Sequence, residues 1–245
     1  VCENDRVQFV VNVNGTNLQY QWFKNTGEII PGATSFSYTI DNASLADNGT
    51  YYCEITSQAC PTITSAVATL VVKEQPVATI AFGNTEAVCE GDDYAYVVFT
   101  GTPGAVVTYT IDNGVTLETI LLGNGPTPVP TGTLTETITY QMIDVRYTGN
   151  QACPRLVTDS VTIVVNKNPE VTLEDGYICV DPITGLITGN PYLLDTGLAQ
   201  GSYLFEWFDA NGTIPLASNS FYEASVEGEY FVKITDIVTG CSMMS

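Results

Sequence analysis

Histidine does not occur in the 245 residues. Its absence removes the commonest general base and the commonest transition-metal ligand. A Ser-His-Asp site, a Cys-His site or a histidine zinc site cannot be assembled from this chain alone. Paired carboxylates remain, but with 27 acidic residues their presence discriminates nothing. Basic residues are scarce: 7 Lys and Arg leave a formal net charge of -20. A polyanion of this strength repels phosphate backbones and anionic lipid, which argues against nucleic acid as a partner. The plain reading of the acidity is solubility of an extracellular chain that must not stick to its copies; cation binding is the alternative. No run approaches eighteen apolar residues, so no membrane insertion is expected. Helical spacing is missing too, since no stretch of a dozen residues places apolar side chains three and four apart.

What is present is short alternating runs separated by turn residues, with 44% hydrophobic residues to fill a core. This predicts an all-β chain. Cysteine then gives the organisation. Six of the seven cysteines fall into two series. An opening series stands beside acidic residues: Cys2-Glu3-Asn4-Asp5, Cys89-Glu90-Gly91-Asp92 and Cys179-Val180-Asp181. A closing series follows: Gln58-Ala59-Cys60-Pro61, Gln151-Ala152-Cys153-Pro154 and Thr239-Gly240-Cys241-Ser242. The period is about 90 residues, which marks an array of like domains. Pairing inside each unit is expected: Cys2 with Cys60, Cys89 with Cys153, Cys179 with Cys241. Each bond would close a loop of about 60 residues, worth roughly 4 kcal/mol on the chain-entropy model. Such bonds persist only in an oxidising compartment.

Cys53 is left over. It ends Asp47-Asn48-Gly49-Thr50-Tyr51-Tyr52-Cys53, the D-x-G-x-Y-x-C string of an immunoglobulin strand F, with Tyr51 at the tyrosine-corner position. Trp22 in Tyr20-Gln21-Trp22-Phe23 fits the core tryptophan of strand C. Val11 occupies the place of the strand B cysteine, so Cys53 is expected as a buried free thiol. The third unit repeats the pattern, with Trp207 in Phe205-Glu206-Trp207-Phe208, Tyr230 in Gly228-Glu229-Tyr230, and Val232 where Cys53 sits. In the second, Tyr109 stands for the tryptophan and Tyr140-Gln141-Met142 for strand F.

Strand G is read in Ala66–Val72 and Ser160–Val165, each followed by a short polar link ending at Pro76 or Pro169. The expected fold is three tandem immunoglobulin-like β-sandwich domains forming an elongated rod, at 1–73, 74–167 (also PKD-like) and 168–245. At roughly 25 Å per strand plus loops, such a rod would reach about 100 Å. The third domain is expected to lack its last strand after Cys241, which predicts a longer natural protein; a strand donated by a partner is the alternative.

The sequence resembles the tandem immunoglobulin-like and PKD-like repeats of very large surface proteins of Bacteroidetes, the adhesins of gliding flavobacteria and other cargo of the type IX secretion system. The third unit carries the most specific match, through Cys179-Val180-Asp181-Pro182-Ile183-Thr184-Gly185, Leu194-Asp195-Thr196-Gly197-Leu198, Phe205-Glu206-Trp207-Phe208, Gly228-Glu229-Tyr230 and Thr239-Gly240-Cys241-Ser242. The resemblance implies an exported, non-catalytic filament at the cell surface. Its partners would be neighbouring repeats of the same chain, with substratum or polysaccharide held by regions outside this segment. The alternatives are a carbohydrate- or protein-binding module and a spacer stalk of a secreted hydrolase.

Smaller motifs have plain readings beside their functional ones. Asp159-Ser160-Val161 fits the Bacteroidetes O-glycosylation pattern, though Ser160 also simply begins a strand. Asn14-Gly15-Thr16, Asn42-Ala43-Ser44, Asn48-Gly49-Thr50 and Asn211-Gly212-Thr213 match the N-glycosylation sequon but read first as turns. Asp209-Ala210-Asn211-Gly212 resembles the start of a calcium loop without its closing glutamate, position 220 being Ser220. No cofactor is expected; structural calcium near Glu90, Asp92 and Asp93 is a secondary hypothesis.

Overall fold

The structure is a computed structural model. It describes residues 1–58, 60–112, 114, 116–150, 152–210, 212 and 217–245, with Cys60 described by its backbone alone. Among these residues the chain is all-β: twenty-one strands and one turn of 3-10 helix at Leu45–Asp47. It divides into two compact units. The first takes Val1–Ala81, Val98–Thr127 and Tyr140–Ser160; the second takes Phe82–Val97, Pro128–Thr139 and Val161–Ser245. The stretch 74–167 thus contributes to both.

In the first unit, Val7–Val10 pairs antiparallel with Ser37–Ile40. A second sheet runs in the order Glu28–Ile29, Gln19–Lys24, Gly49–Ser57, Cys60–Thr64, with Ala68–Leu70 also on Gly49–Ser57. The strand period of two decides which side chains meet between the layers. Along Gly49–Ser57 the buried residues are Tyr51, Cys53 and Ile55. They join Trp22, Ile40, Leu70 and Val72, with Phe9, Val11 and Tyr38 packed alongside. Phe9 lies 4.6 Å from Tyr51 and 6.0 Å from Trp22, ring centre to ring centre. This two-layer, aromatic-filled arrangement is a β-sandwich of immunoglobulin type.

The same unit holds a further sheet, in which Ala105–Ile111 pairs with Thr116–Leu121 on one side and with Tyr140 to Tyr147 on the other. Tyr109 and Tyr140 are buried here, with Phe99 4.8 Å from Tyr109. A bulge between Thr108 and Tyr109 shifts the register.

In the second unit, Ala87–Cys89 runs parallel to Val164, Val165 and Asn166. Tyr192–Asp195 pairs with Phe221–Ala224. Tyr203–Asp209, Tyr230–Asp236 and Ser242–Met244 follow one another in a three-stranded sheet. Their inward residues Phe205, Trp207, Val232 and Ile234 form a core with Leu194 and Ala224. Ser242–Met244 corrects the expectation that no last strand follows Cys241. A tight turn returns the chain to the sheet: the Asp236 carboxylate accepts the Val238 and Thr239 N–H groups, and Gly240 supplies a φ of 76°.

Candidate functional site: a register of cysteine bonds

No group of three or more metal-ligating side chains occurs among the described residues. The acidic turn at Glu90 and Asp92 is engaged within the chain. Asp92 accepts the Cys89 N–H at 3.0 Å, and Glu90 lies 2.7 Å from the Lys167 ammonium. The calcium-like string at 209–212 and the sequon at 211–213 include residues outside those described. A cavity of about 650 Å³ beside Tyr177, Tyr192 and Tyr230 is rimmed by Glu174, Asp175, Glu227 and Glu229. Ser160 is exposed at the head of its strand. Asn48 does structural work: its side-chain oxygen accepts the Val72 N–H.

The aromatic pins recur with the same partners. Trp22 sits opposite Cys53 and Trp207 opposite Val232 in their antiparallel pairs. Trp22 Nε1 donates to the Ser35 carbonyl and Trp207 Nε1 to that of Asn219, both at 2.9 Å. The Tyr51 hydroxyl donates to the Asp47 carbonyl at 2.7 Å, and the Tyr230 hydroxyl to that of Val226 at 2.8 Å. Each is a tyrosine corner reaching four residues back. Tyr109 faces Met142 in the same way, with Tyr140 two residues before it. The sequence reading missed one matched pair: the Ser65 hydroxyl accepts from the Cys53 N–H, and the Ser245 hydroxyl from the Val232 N–H. The two serines lie 12 and 13 residues after their partners, so no fixed spacing announces them.

Cys53 is a buried free thiol. Burial pushes its pKa up, against a smaller lowering by a backbone hydrogen bond from Gln21, while Glu54 adds to the rise. It therefore stays a protonated thiol at neutral pH, the unreactive form. Since Val232 fills the matching place, Cys53→Val is expected to change stability by no more than about 1 kcal/mol, measured by urea unfolding. Tyr51 gives a second test. Burial first, and then the charge of Asp47, pushes its pKa up to about 12. A folded-state value above the unfolded one near 10 means stability is fully present below pH 10 and lost as pH rises towards 12. Tyr51→Phe should remove this loss and cost about 1 kcal/mol at pH 7, because the Asp47 carbonyl loses its donor.

The bonded cysteines differ from the expected pairing. Cys2 is bonded to Cys153, not Cys60, with Cα atoms 5.3 Å apart. Cys89 is bonded to Cys241, not Cys153, at 5.4 Å. Cys179, expected opposite Cys241, is an exposed free thiol, and the Cys60 side chain lies outside the described residues. The reason is where the opening cysteines sit. Cys2 bridges in parallel to Lys73. The Lys73 ammonium lies 5.8 Å from the centre of the Tyr147 ring, and the Tyr147 N–H donates to Ala152, next to Cys153. Cys89 likewise pairs in parallel with Asn166. Cys2 is thus held beside Lys73 and Cys89 beside Asn166, within bonding reach of Cys153 and Cys241. The two bonds have nearly equal sequence separations, 151 and 152.

The chain matches no family model and no curated protein. Solved structures do resemble it. The three N-terminal domains of the bacteriophage RB49 highly immunogenic outer capsid protein are 13% identical, over 100% of this chain and 93% of that one, with a TM-score of 0.37. Murine CEACAM1b is 17% identical over 68% of this chain and 95% of its own, with a TM-score of 0.37. A chimeric titin Z1Z2 tandem is 17% identical over 69% and 93%, with a TM-score of 0.26. The immunoglobulin-like description here rests on the strand pairings, tryptophan pins and tyrosine corners themselves.

Proposed function

We propose that this chain is a cross-braced repeat segment of a secreted bacterial cell-surface adhesin, and that its work is mechanical rather than catalytic. The observation that carries the reading is the pair of disulfides of matched separation, Cys2–Cys153 and Cys89–Cys241; on the three-repeat reading each joins an opening cysteine to the closing cysteine of the following repeat. Disulfides are kept in oxidising, extracytoplasmic compartments. A bond that ties one repeat to the next is suited to a filament under tension.

The modular reading is three tandem immunoglobulin-like domains at 1–73, 74–167 and 168–245, forming a rod. Three copies of one motif support it: an aromatic residue (Trp22, Tyr109, Trp207) opposite Cys53, Met142 or Val232, with a tyrosine two positions before the latter. The finer assignment, to the attachment or gliding adhesins of Bacteroidetes exported by type IX secretion, rests on the resemblance of the third repeat. The high negative charge and lack of histidine fit a spacer. Contact with substratum or polysaccharide would belong to other parts of the filament.

The test is to replace this segment, in the producing cell, by a flexible linker of equal residue number. Secretion should persist, while attachment under flow, or gliding, falls. Equal attachment by the linker strain, or a protein recovered inside the cell with its cysteines reduced, contradicts the proposal.

A further inference from the structure

We infer that the cavity beside Tyr177, Tyr192 and Tyr230 is a docking site for an arginine-bearing segment of a partner protein. This adds a recognition surface to the mechanical role proposed above and does not depend on that role.

Two stretches of the second unit build the cavity. One wall is the strap from Leu173 to Val180, irregular up to the bridge at Val180. Tyr192 clips this strap. Its hydroxyl donates to the Glu174 carbonyl at 3.4 Å and to that of Asp175 at 3.3 Å. Gly176 lies so close to the same ring that a Cβ there would come within 2.1 Å of it. The facing wall is the turn from Val226 to Phe231. Here the Tyr230 hydroxyl donates to the Val226 carbonyl at 2.8 Å. Between the walls lie about 650 Å³. That is the size of a pocket for a ligand of many atoms, not for a lone ion.

The lining combines aromatic rings with negative charge. Tyr177 is 85% exposed, so packing into the core does not account for it. Glu174 and Asp175 stand on one wall, Glu227 and Glu229 on the other. Among the described residues none of these four carboxylates is in an ion pair. Nor do they belong to any group of three that could hold a metal ion. The charge is spread around a mouth instead of focused on a point. Guanidinium groups suit such a mouth: each is planar, stacks on an aromatic face and pairs bidentately with a carboxylate.

A second copy of this chain is a poor occupant. It has seven basic residues. Arg6, Arg146, Lys167 and Lys233 are paired with Asp41, Asp144, Glu90 and Glu206. Lys24 donates to the Ala46 carbonyl, and Lys73 lies over the Tyr147 ring. Two copies at a net charge of -20 each also repel one another. Charge complementarity therefore points to a basic segment of a different protein.

The test is calorimetric titration of the 245-residue chain with a capped tetra-arginine peptide, at about 0.15 M salt to screen distant charge. One variant neutralises the mouth: Glu174→Gln, Asp175→Asn, Glu227→Gln and Glu229→Gln. A control variant of the same net charge carries Glu28→Gln, Glu74→Gln, Glu118→Gln and Glu136→Gln, all exposed and away from the cavity. The mouth variant is expected to bind at least about tenfold more weakly. Tyr177→Ala should lose about fivefold. The control should change by about twofold at most. Equal weakening in the two quadruple variants means general attraction to a polyanion and overturns the inference. So does unchanged affinity in Tyr177→Ala, the absence of any heat, or equal binding of spermidine, which has charge without guanidinium planes. Calcium heat that the mouth variant loses, with none from the peptide, makes the cavity a cation site and also overturns it.

Discussion

Pulled from its two ends without reductant, the chain is expected to stop at a length of roughly 250 Å after every fold has given way, and at about 880 Å once reduced. The difference follows from how the bonds overlap. Cys89 lies between Cys2 and Cys153, and Cys153 lies between Cys89 and Cys241. The bonds therefore define two junctions joined by three arms of chain, 2–89, 89–153 and 153–241. The shortest, the 64 residues between Cys89 and Cys153, tautens first and sets the limit. With the pairing inside each repeat that spacing alone favours, the bonds would lie in series and the links between repeats would bear the whole load. In the crossed arrangement a break in one arm leaves two others holding. Single-molecule stretching with and without dithiothreitol reads the two lengths directly. An oxidised chain that reaches the reduced length carries no such bonds.

Trp207→Ala is expected to cost about 3–5 kcal/mol, the range for deleting a large, fully buried aromatic side chain. Trp207 has no exposed surface. It stands opposite Val232, with its ring 5.7 Å from Tyr222. Truncation opens a cavity in the core that Trp207 shares with Leu194, Phe205, Ala224, Val232 and Ile234, and leaves the Asn219 carbonyl without its indole donor. Trp207→Phe keeps much of the packing and should lose less, about 1–2 kcal/mol, chiefly for the missing donor. Trp22 is the one other tryptophan, so in Trp207→Ala the remaining fluorescence reports on the first unit alone. Circular dichroism during urea unfolding measures the loss; a cost below 1 kcal/mol would mean that this tryptophan does not pin its core.

The local chemistry of the fold was legible because each signal lies within a few residues. Asp47 to Cys53 spells a strand and its tyrosine corner, and the Tyr51 hydroxyl reaches the Asp47 carbonyl. Phe205-Glu206-Trp207 spells the strand that faces Val232. Tyr109, in place of a tryptophan, was read from its position in the repeat, although its strand is buried at consecutive positions rather than alternating. The cysteine pairing was not legible. Six cysteines in a regular series admit fifteen connectivities. Pairing within a repeat and pairing with the next one use the same spacing. What separates them is three-dimensional: the parallel bridge of Cys2 to Lys73, and the contact of Lys73 with Tyr147. Ser242–Met244 was missed because three residues carry too little alternation to announce a strand.

The most direct measurement is a tryptic map of the 245-residue chain, oxidised and never reduced. Trypsin places Cys2, Cys89, Cys153 and Cys241 in separate peptides. The expected cross-links are 1–6 with 147–155, through Cys2 and Cys153, and 74–146 with 234–245, through Cys89 and Cys241. Cross-links of 1–6 with 25–73, or of 74–146 with 147–155, would place the bonds inside the single proposed repeats and contradict the proposed cross-bracing.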